Sequence, residues 1–298
     1  MRKKVTRLLI IFFILSLLDL SAYARHAISQ SQKSFLWRVQ SKTGTVYVLG
    51  SIHYLKKEIY PLNKKIEDAF DKSDVLVVEA NINDISKIDI QKFMETAFYT
   101  DNESLEKHVS RETYELTKKE FESLGIPLLI VNKHKPWFLA LTLTSVELIK
   151  LGFDPNYGID NYFLSKASGK KKIEELESID YQINLFSNFS DNEQELFLLY
   201  TLKDLNMLRQ EVDNLTQAWI FGDTKSTESI ITKKLEDKRI SSIFEKLIYE
   251  RNRNMALKIE DFLRKKETHF VIVGAGHLVG NKGVIEMLRG KGYLVEQL

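Results

Sequence analysis

The chain has 298 residues, 43 Lys and Arg against 41 Asp and Glu, a formal net charge of +2, and no Cys. With 44% hydrophobic and 28% charged residues it fits an ordinary folded chain, which excludes a disordered, collagenous or multi-span membrane protein. The missing cysteine excludes a disulfide framework, a thiolate zinc site, a cysteine nucleophile and a cysteine-linked lipid anchor, and the near-neutral charge gives no support to nucleic-acid binding.

The first segment reads as an address. Arg2, Lys3, Lys4 and Arg7 precede an apolar run from Leu8 to Leu18, and Ala22-Tyr23-Ala24 follows. A basic start, an apolar stretch of this length and an A-x-A site make a secretory signal peptide. The run is shorter than the roughly 20 residues that a spanning helix needs, and Asp19 interrupts it. Residues 1–24 are therefore expected to be cleaved, leaving residues 25–298 as one exported domain, periplasmic or extracellular. An uncleaved signal is the one membrane attachment the sequence offers. The basic residues of this segment also account for the small positive balance.

Two extended runs open the exported part. Phe35 to Val39 and Thr45 to Leu49 flank Ser41-Lys42-Thr43-Gly44, which has the composition of a hairpin turn. Gly50 ends the second run. Pro61 then opens a helical stretch with Leu62, Ile66, Ala69 and Phe70 at helical spacing. Asp74 to Glu79 is a short, nearly continuous apolar strand, of the kind buried on both faces in a parallel sheet. Strand, helix, strand in this order is a βαβ unit.

From about residue 89 to 268 the pattern is helical, including stretches over Leu139–Ile149, Glu195–Met207 and Ile240–Phe262. The segment from Gly169 to Ser178 interrupts it, as a short strand or a loop. The end returns to strand and helix: His269 to Val273 extended, Val284 to Leu288 helical, Gly292 to Glu296 extended. The expected fold class is α/β, with a mixed, mostly parallel sheet built from both chain ends, two similar halves and a large helical insertion.

One device occurs twice. Val46 to His53 and Phe270 to His277 are each an apolar strand, a glycine exit and a histidine three residues after a glycine. In α/β sheets ligands bind beyond the carboxyl ends of strands, and a histidine there can reach a metal through a neutral ring nitrogen. Glu79 also ends a buried-type strand. His53, Glu79 and His277 suit a zinc or manganese site with nitrogen and oxygen ligands. Taken singly, a G-x-x-H marks a turn with a surface or capping His, and Glu79 alone would serve as a cap or an ion-pair partner. His26, His108 and His134 read as surface or capping residues, and His269 is expected to face solvent.

Several runs resemble the TraB/PrgY/GumN family, with the GumN-like secreted bacterial branch nearest. They are Leu36-Trp37-Arg38-Val39, Val46 to His53, Tyr60-Pro61-Leu62 and Val77-Val78-Glu79 near the start. At the end they are Val271 to Gly280, Gly283-Val284 and Gly292-Tyr293. Lys135-Pro136-Trp137, Gly158-Ile159-Asp160, Leu176-Glu177-Ser178 and Arg251-Asn252 fall in family order between them. The resemblance spans roughly residues 35–298. It implies kinship with the Tiki metalloproteases and with erythromycin-esterase-like and ChaN-like proteins. It also implies a divalent metal ion (manganese, cobalt or zinc) on His53, Glu79 and His277. Asp160, Glu177, Arg251 and Asn252 follow as catalytic residues.

The expected activity is that of a metal-dependent hydrolase, peptidase-like, acting on a peptide or protein. Glu177 or Asp160 would be the general base or a further ligand, and Arg251 would stabilise an oxyanion or pair with a carboxylate. Asn252 would cap or orient a ligand. Asp160 also reads as a helix cap, and Glu177 as an exposed member of an acidic run. Neither H-E-x-x-H nor G-x-S-x-G occurs, so zincin and serine-hydrolase chemistry are not indicated. Two competing readings use the same fold: a non-catalytic envelope protein binding haem, a peptide signal or another small ligand, and a structural envelope protein.

Overall fold

The computed structural model describes residues 33–84, 86, 89–100, 102–232 and 237–298. The expected signal peptide, residues 1–24, and His26 lie outside them. Among the described residues no helix is long and apolar enough to cross a membrane.

Six strands form one sheet in the order β4-β3-β5-β2-β1-β6. β1 (Leu36–Gln40) and β2 (Thr45–Ser51) make the expected antiparallel hairpin. β2 runs through Gly50 instead of stopping before it. The backbone can do this because Gly50 carries no Cβ, which would stand 2.4 Å from the Phe35 ring. β3 (Val75–Val78) buries all of its side chains, as its unbroken apolar run requires. β5 (His269–Gly274) enters between β2 and β3 and pairs with both in parallel. The last strand of the parallel core is thus wedged between two early ones, so both chain ends contribute to one sheet. The terminus is also tied in: the Ser34 N–H donates to the Leu298 carbonyl at 2.5 Å.

The two sheet edges come from unlike places. β6 (Leu294–Gln297) runs antiparallel beside β1. β4 (Lys172–Glu175) runs parallel beside β3. The segment left open as a strand or a loop is therefore a strand, and the helical insertion expected over 89–268 is interrupted by it. β4 carries three charged side chains and one apolar one, as an edge strand with a solvated side does.

The helices, in chain order, begin with α1 (Lys64–Asp71), capped by the Asn63 side chain. α2 (Ile90–Ala97), α3 (Arg111–Ser123) and α4 (Pro136–Lys150) follow. α5 (Ile159–Ala167) precedes β4, and α6 (Ile179–Ser187) and α7 (Asp191–Asp204) follow it. α8 (Leu208–Ile220), α9 (Thr224–Thr232) and α10 (Glu250–Leu263) lead back to the sheet. α11 (Ala275–Leu278) and α12 (Val284–Gly290) join β5 to β6.

Two hydrophobic clusters result. One holds the sheet with Phe70, Phe163, Trp219, Ile259 and Leu288 among its helical contributions. The other lies within the helical middle, around Trp137, Leu143, Phe197 and Phe244. Each fully buried aliphatic or aromatic side chain contributes roughly 1.5–3 kcal/mol, so both clusters are needed to order so long a helical insertion. His269, expected in solvent, is 1% exposed. It stacks on Phe262 with ring centroids 4.5 Å apart, and its Nδ1 lies 2.9 Å from the Glu267 carbonyl. The strand that begins at His269 is central, so its first side chain is covered by α10.

Candidate functional site

The parallel strands β3, β5 and β2 are neighbours, and their carboxyl ends release the chain at one edge. Register pairs Gly50 with Val273 and Ser51 with Gly274. The two G-x-x-H exits therefore stand side by side. β2 leads to His53, β5 leads through α11 to His277, and β3 leads to Glu79.

The loop carrying His53 is clasped from one side. Leu55 forms an isolated bridge with Asp154, and the Ile159 N–H donates to the Ile52 carbonyl at 3.1 Å. Gly158 lies so close that a Cβ there would stand 2.0 Å from the His53 carbonyl oxygen. Asp160, in the first turn of α5, then reaches His53: its Oδ2 is 2.6 Å from the ring Nδ1. A carboxylate only accepts, so Nδ1 donates. Asp160 is neither the cap of α5 nor exposed; Gly158 occupies the cap position and Asp160 is 6% exposed. Burial works against charge on His53, but the Asp160 carboxylate outweighs it and raises the imidazole pKa. From the other side, the Trp219 indole N–H donates to the Gly50 carbonyl at 2.7 Å.

His277 is held by a different residue. Its Nδ1 is 2.6 Å from Asn252 Oδ1, while Asn252 Nδ2 donates to the Lys282 carbonyl at 2.8 Å. The second bond fixes the amide orientation, so Oδ1 faces the ring and Nδ1 carries the proton. Nε2 is then a bare lone pair. It is buried without a hydrogen-bond partner and lies 3.8 Å from Glu79 Oε1. Burial, then the Arg251 charge, depress the His277 pKa to about 3, so the ring is neutral.

The carboxylates converge on Arg251, in the first turn of α10. A turn of π-helix, Glu245–Tyr249, precedes it, and such turns recur at functional sites. Arg251 Nη1 donates to the Leu247 carbonyl at 3.1 Å within that turn. Nη2 donates to Glu79 Oε2 and, at 2.8 Å, to Glu177 Oε2; Nε lies 2.9 Å from Glu177 Oε1. The side chains of Glu79 and Glu177 are each 6% exposed. Glu177 is thus not an exposed member of an acidic run, and Arg251 is engaged as an ion-pair anchor. Burial opposes ionisation of Glu79, but Arg251, His277, His53 and the Gly274 N–H together hold its pKa at about 2. That N–H donates to Glu79 Oε1 at 2.5 Å.

The structure therefore brings His53, Glu79, Asp160, Glu177, Arg251, Asn252 and His277 into one hydrogen-bonded and electrostatically linked cluster. Among the described residues, no group of three His, Asp or Glu side chains stands closed as an ion-holding set. Glu79 turns its Oε2 to the Arg251 guanidinium and its Oε1 toward His277. Gln182 also belongs to the cluster. Its Nε2 donates to Glu79 Oε2 at 3.3 Å and to Glu177 Oε2 at 3.1 Å. No local pattern marks Gln182 or Trp219, because each depends on a helix returning to the sheet from far along the chain.

The model of the TraB/PrgY/gumN family matches residues 35–297. The chain belongs to the TraB/PrgY/gumN family. It is 24% identical over 300 residues to an uncharacterized protein of Treponema pallidum (strain Nichols), covering 95% of this chain and 88% of that one. It is 26% identical over 246 residues to the uncharacterized protein YbaP of Escherichia coli (strain K12), covering 82% and 87%. It is 25% identical over 345 residues to a metalloprotease TIKI homolog of Amphimedon queenslandica, covering 98% of this chain and 67% of that one. No solved structure matches. In this TraB/PrgY/gumN chain, then, the two G-x-x-H exits and the Glu79–Arg251–Glu177 ion pairs meet at one sheet edge.

Proposed function

We propose that this chain is a divalent-metal-dependent hydrolase of the peptidase type, working after export. One observation carries the reading: His277 Nε2 is an unprotonated, buried nitrogen without a hydrogen-bond partner, 3.8 Å from Glu79 Oε1. Two lone pairs brought together out of water are costly unless a cation lies with them. Metal-bound histidines characteristically donate their other ring nitrogen to a carboxylate or a carbonyl. His277 does so to Asn252, and His53 does so to Asp160. The donors are nitrogen and oxygen, which suits manganese, cobalt or zinc.

His53, His277 and Glu79 would hold the ion. When bound, such an ion polarises a carbonyl and lowers the pKa of a water molecule. The chain's own groups do the rest. Asn252 and Asp160 fix the two rings. Arg251 keeps Glu79 ionised in a buried place and pairs with Glu177. Glu177 or Asp160 would take the proton of a water; Glu177 is held by Arg251 and Gln182, and Asp160 by His53. The peptide class is supported by the relatives that carry the name metalloprotease. Export is supported by the composition of residues 1–24.

The test is hydrolysis of a broad peptide library by the purified chain with manganese, cobalt or zinc, each with and without a chelator. Cleavage that the chelator abolishes is expected. An ion-loaded protein that cleaves nothing in the library under any of these metals would leave the peptidase reading without support.

A further inference from the structure

Gln182 stands on α6, which fully buries none of its side chains. Its Ile183, Leu185 and Phe186 are partly buried against the second hydrophobic cluster. Asp180 pairs with Lys92 of α2 at 2.9 Å, a bond between half-exposed groups that is worth little. Phe186 stacks on Trp137 at 5.9 Å and meets Phe197 at 5.7 Å. From this half-buried helix Gln182 reaches the two buried acids.

The orientation of its amide is settled by its partners. Turned over, the amide would set its carbonyl against two carboxylate oxygens, so the NH2 end must face them. One donor group then serves Glu79 Oε2 and Glu177 Oε2 together. Those are the same oxygens that share Arg251 Nη2. The last torsion of a glutamate is broad and nearly two-fold, so its two oxygens exchange easily unless something distinguishes them. Here two donors, Arg251 and Gln182, mark Oε2, and the Gly274 N–H marks Oε1.

We propose that Gln182 is a positioning residue of this site: by donating to Glu79 and Glu177 at once, it fixes Glu79 so that Oε1 is the oxygen presented to His277. What the presented oxygen is for rests on the metal-dependent reading above; the placement itself does not.

The experiment compares the wild-type chain with Gln182→Met, which keeps length and approximate volume but has no donor. Manganese affinity is measured by calorimetry. The 15N resonance of His277 Nε2 is measured in metal-free protein, where it reads Glu79 Oε1 directly. Gln182→Met is expected to bind manganese about tenfold more weakly, at the lower end of what loss of an outer partner costs, and to shift the resonance. Gln182→Lys, which restores a donor of similar reach, is expected to bring the resonance back. Equal manganese affinity and an unmoved resonance in Gln182→Met would overturn the proposal while leaving the metal reading intact. Should the wild-type chain bind no divalent ion, the metal reading falls and the resonance alone decides: a shift sustains the positioning role, and an unmoved line ends it.

Discussion

His277 Nδ1 lies 2.6 Å from Asn252 Oδ1, and the same amide donates to the Lys282 carbonyl at 2.8 Å. These two bonds together determine which nitrogen of a buried histidine carries its proton. Asn252 follows Arg251 directly, so one turn of α10 sets both the tautomer of His277 and the charge balance of Glu79. Asn252→Leu removes the acceptor and frees the tautomer. A drop of about 10–100-fold in divalent-ion affinity is expected, the usual consequence of losing an outer-shell partner. Asn252→Asp keeps an acceptor at the same atom and should lose less. Calorimetric titration of both variants checks this, and equal affinities would refute it.

Arg251 is the only cation bonded to Glu79 and Glu177 among the described residues, and it is 2% exposed. Arg251→Met leaves the buried carboxylates of Glu79 and Glu177 without their cation. Breaking a buried pair in this way costs about 3–5 kcal/mol, which denaturant unfolding should show. Arg251→Lys is not expected to recover the loss, because an ammonium lacks the planar fork that serves both acids at once. Wild-type stability in either variant would contradict the ion-pair geometry.

Gly158 has ordinary dihedral angles, φ −60° and ψ 144°. Its need for glycine is therefore steric. A methyl group there would press on the His53 carbonyl at 2.0 Å, and overpacking of this kind costs about 1–3 kcal/mol. Gly158→Ala is expected to lower the unfolding midpoint and to weaken divalent-ion binding, since the strained group is the backbone of His53. An unfolding curve that superimposes on the wild type would rule this out.

His269 supplies a pH signature away from the site. Burial depresses its pKa below the ordinary value of 6.5. A histidine whose folded pKa is lowered takes up its proton more readily in the unfolded chain. Its contribution to stability is complete above the unfolded pKa and is lost as pH falls through the folded one. Between pH 6.5 and pH 5, above the range where most carboxylates titrate, the wild-type chain should lose stability faster than His269→Phe does. Urea unfolding at several pH values measures the difference, and parallel slopes would contradict it.

Much of this arrangement was legible in the residues. The apolar runs 74–79 and 269–273 announced buried parallel strands because an unbroken run of that kind has no solvent face to offer. The paired G-x-x-H exits announced two histidines at strand ends because glycine and strand termination are local signals. Glu177 and Asp160 were ambiguous in sequence because their burial depends on α10 and on the 52–55 loop, which lie far away in the chain. His269 was misplaced for a similar reason: its cover, Phe262, belongs to a helix whose docking side the local pattern does not reveal. Gln182 gave no signal, since the apolar Ile183, Leu185 and Phe186 of α6 show that the helix packs but not where its one inward polar side chain reaches.

On the proposed function, His277 Nε2, with Glu79 and His53, would hold a divalent cation. Metal analysis and manganese titration of the purified wild-type chain, beside His277→Ala with native circular dichroism, test it most directly. A stoichiometric divalent ion is expected in the wild type and its loss in His277→Ala. A wild-type chain that takes up no divalent ion, or a His277→Ala variant that binds as the wild type does, would contradict it.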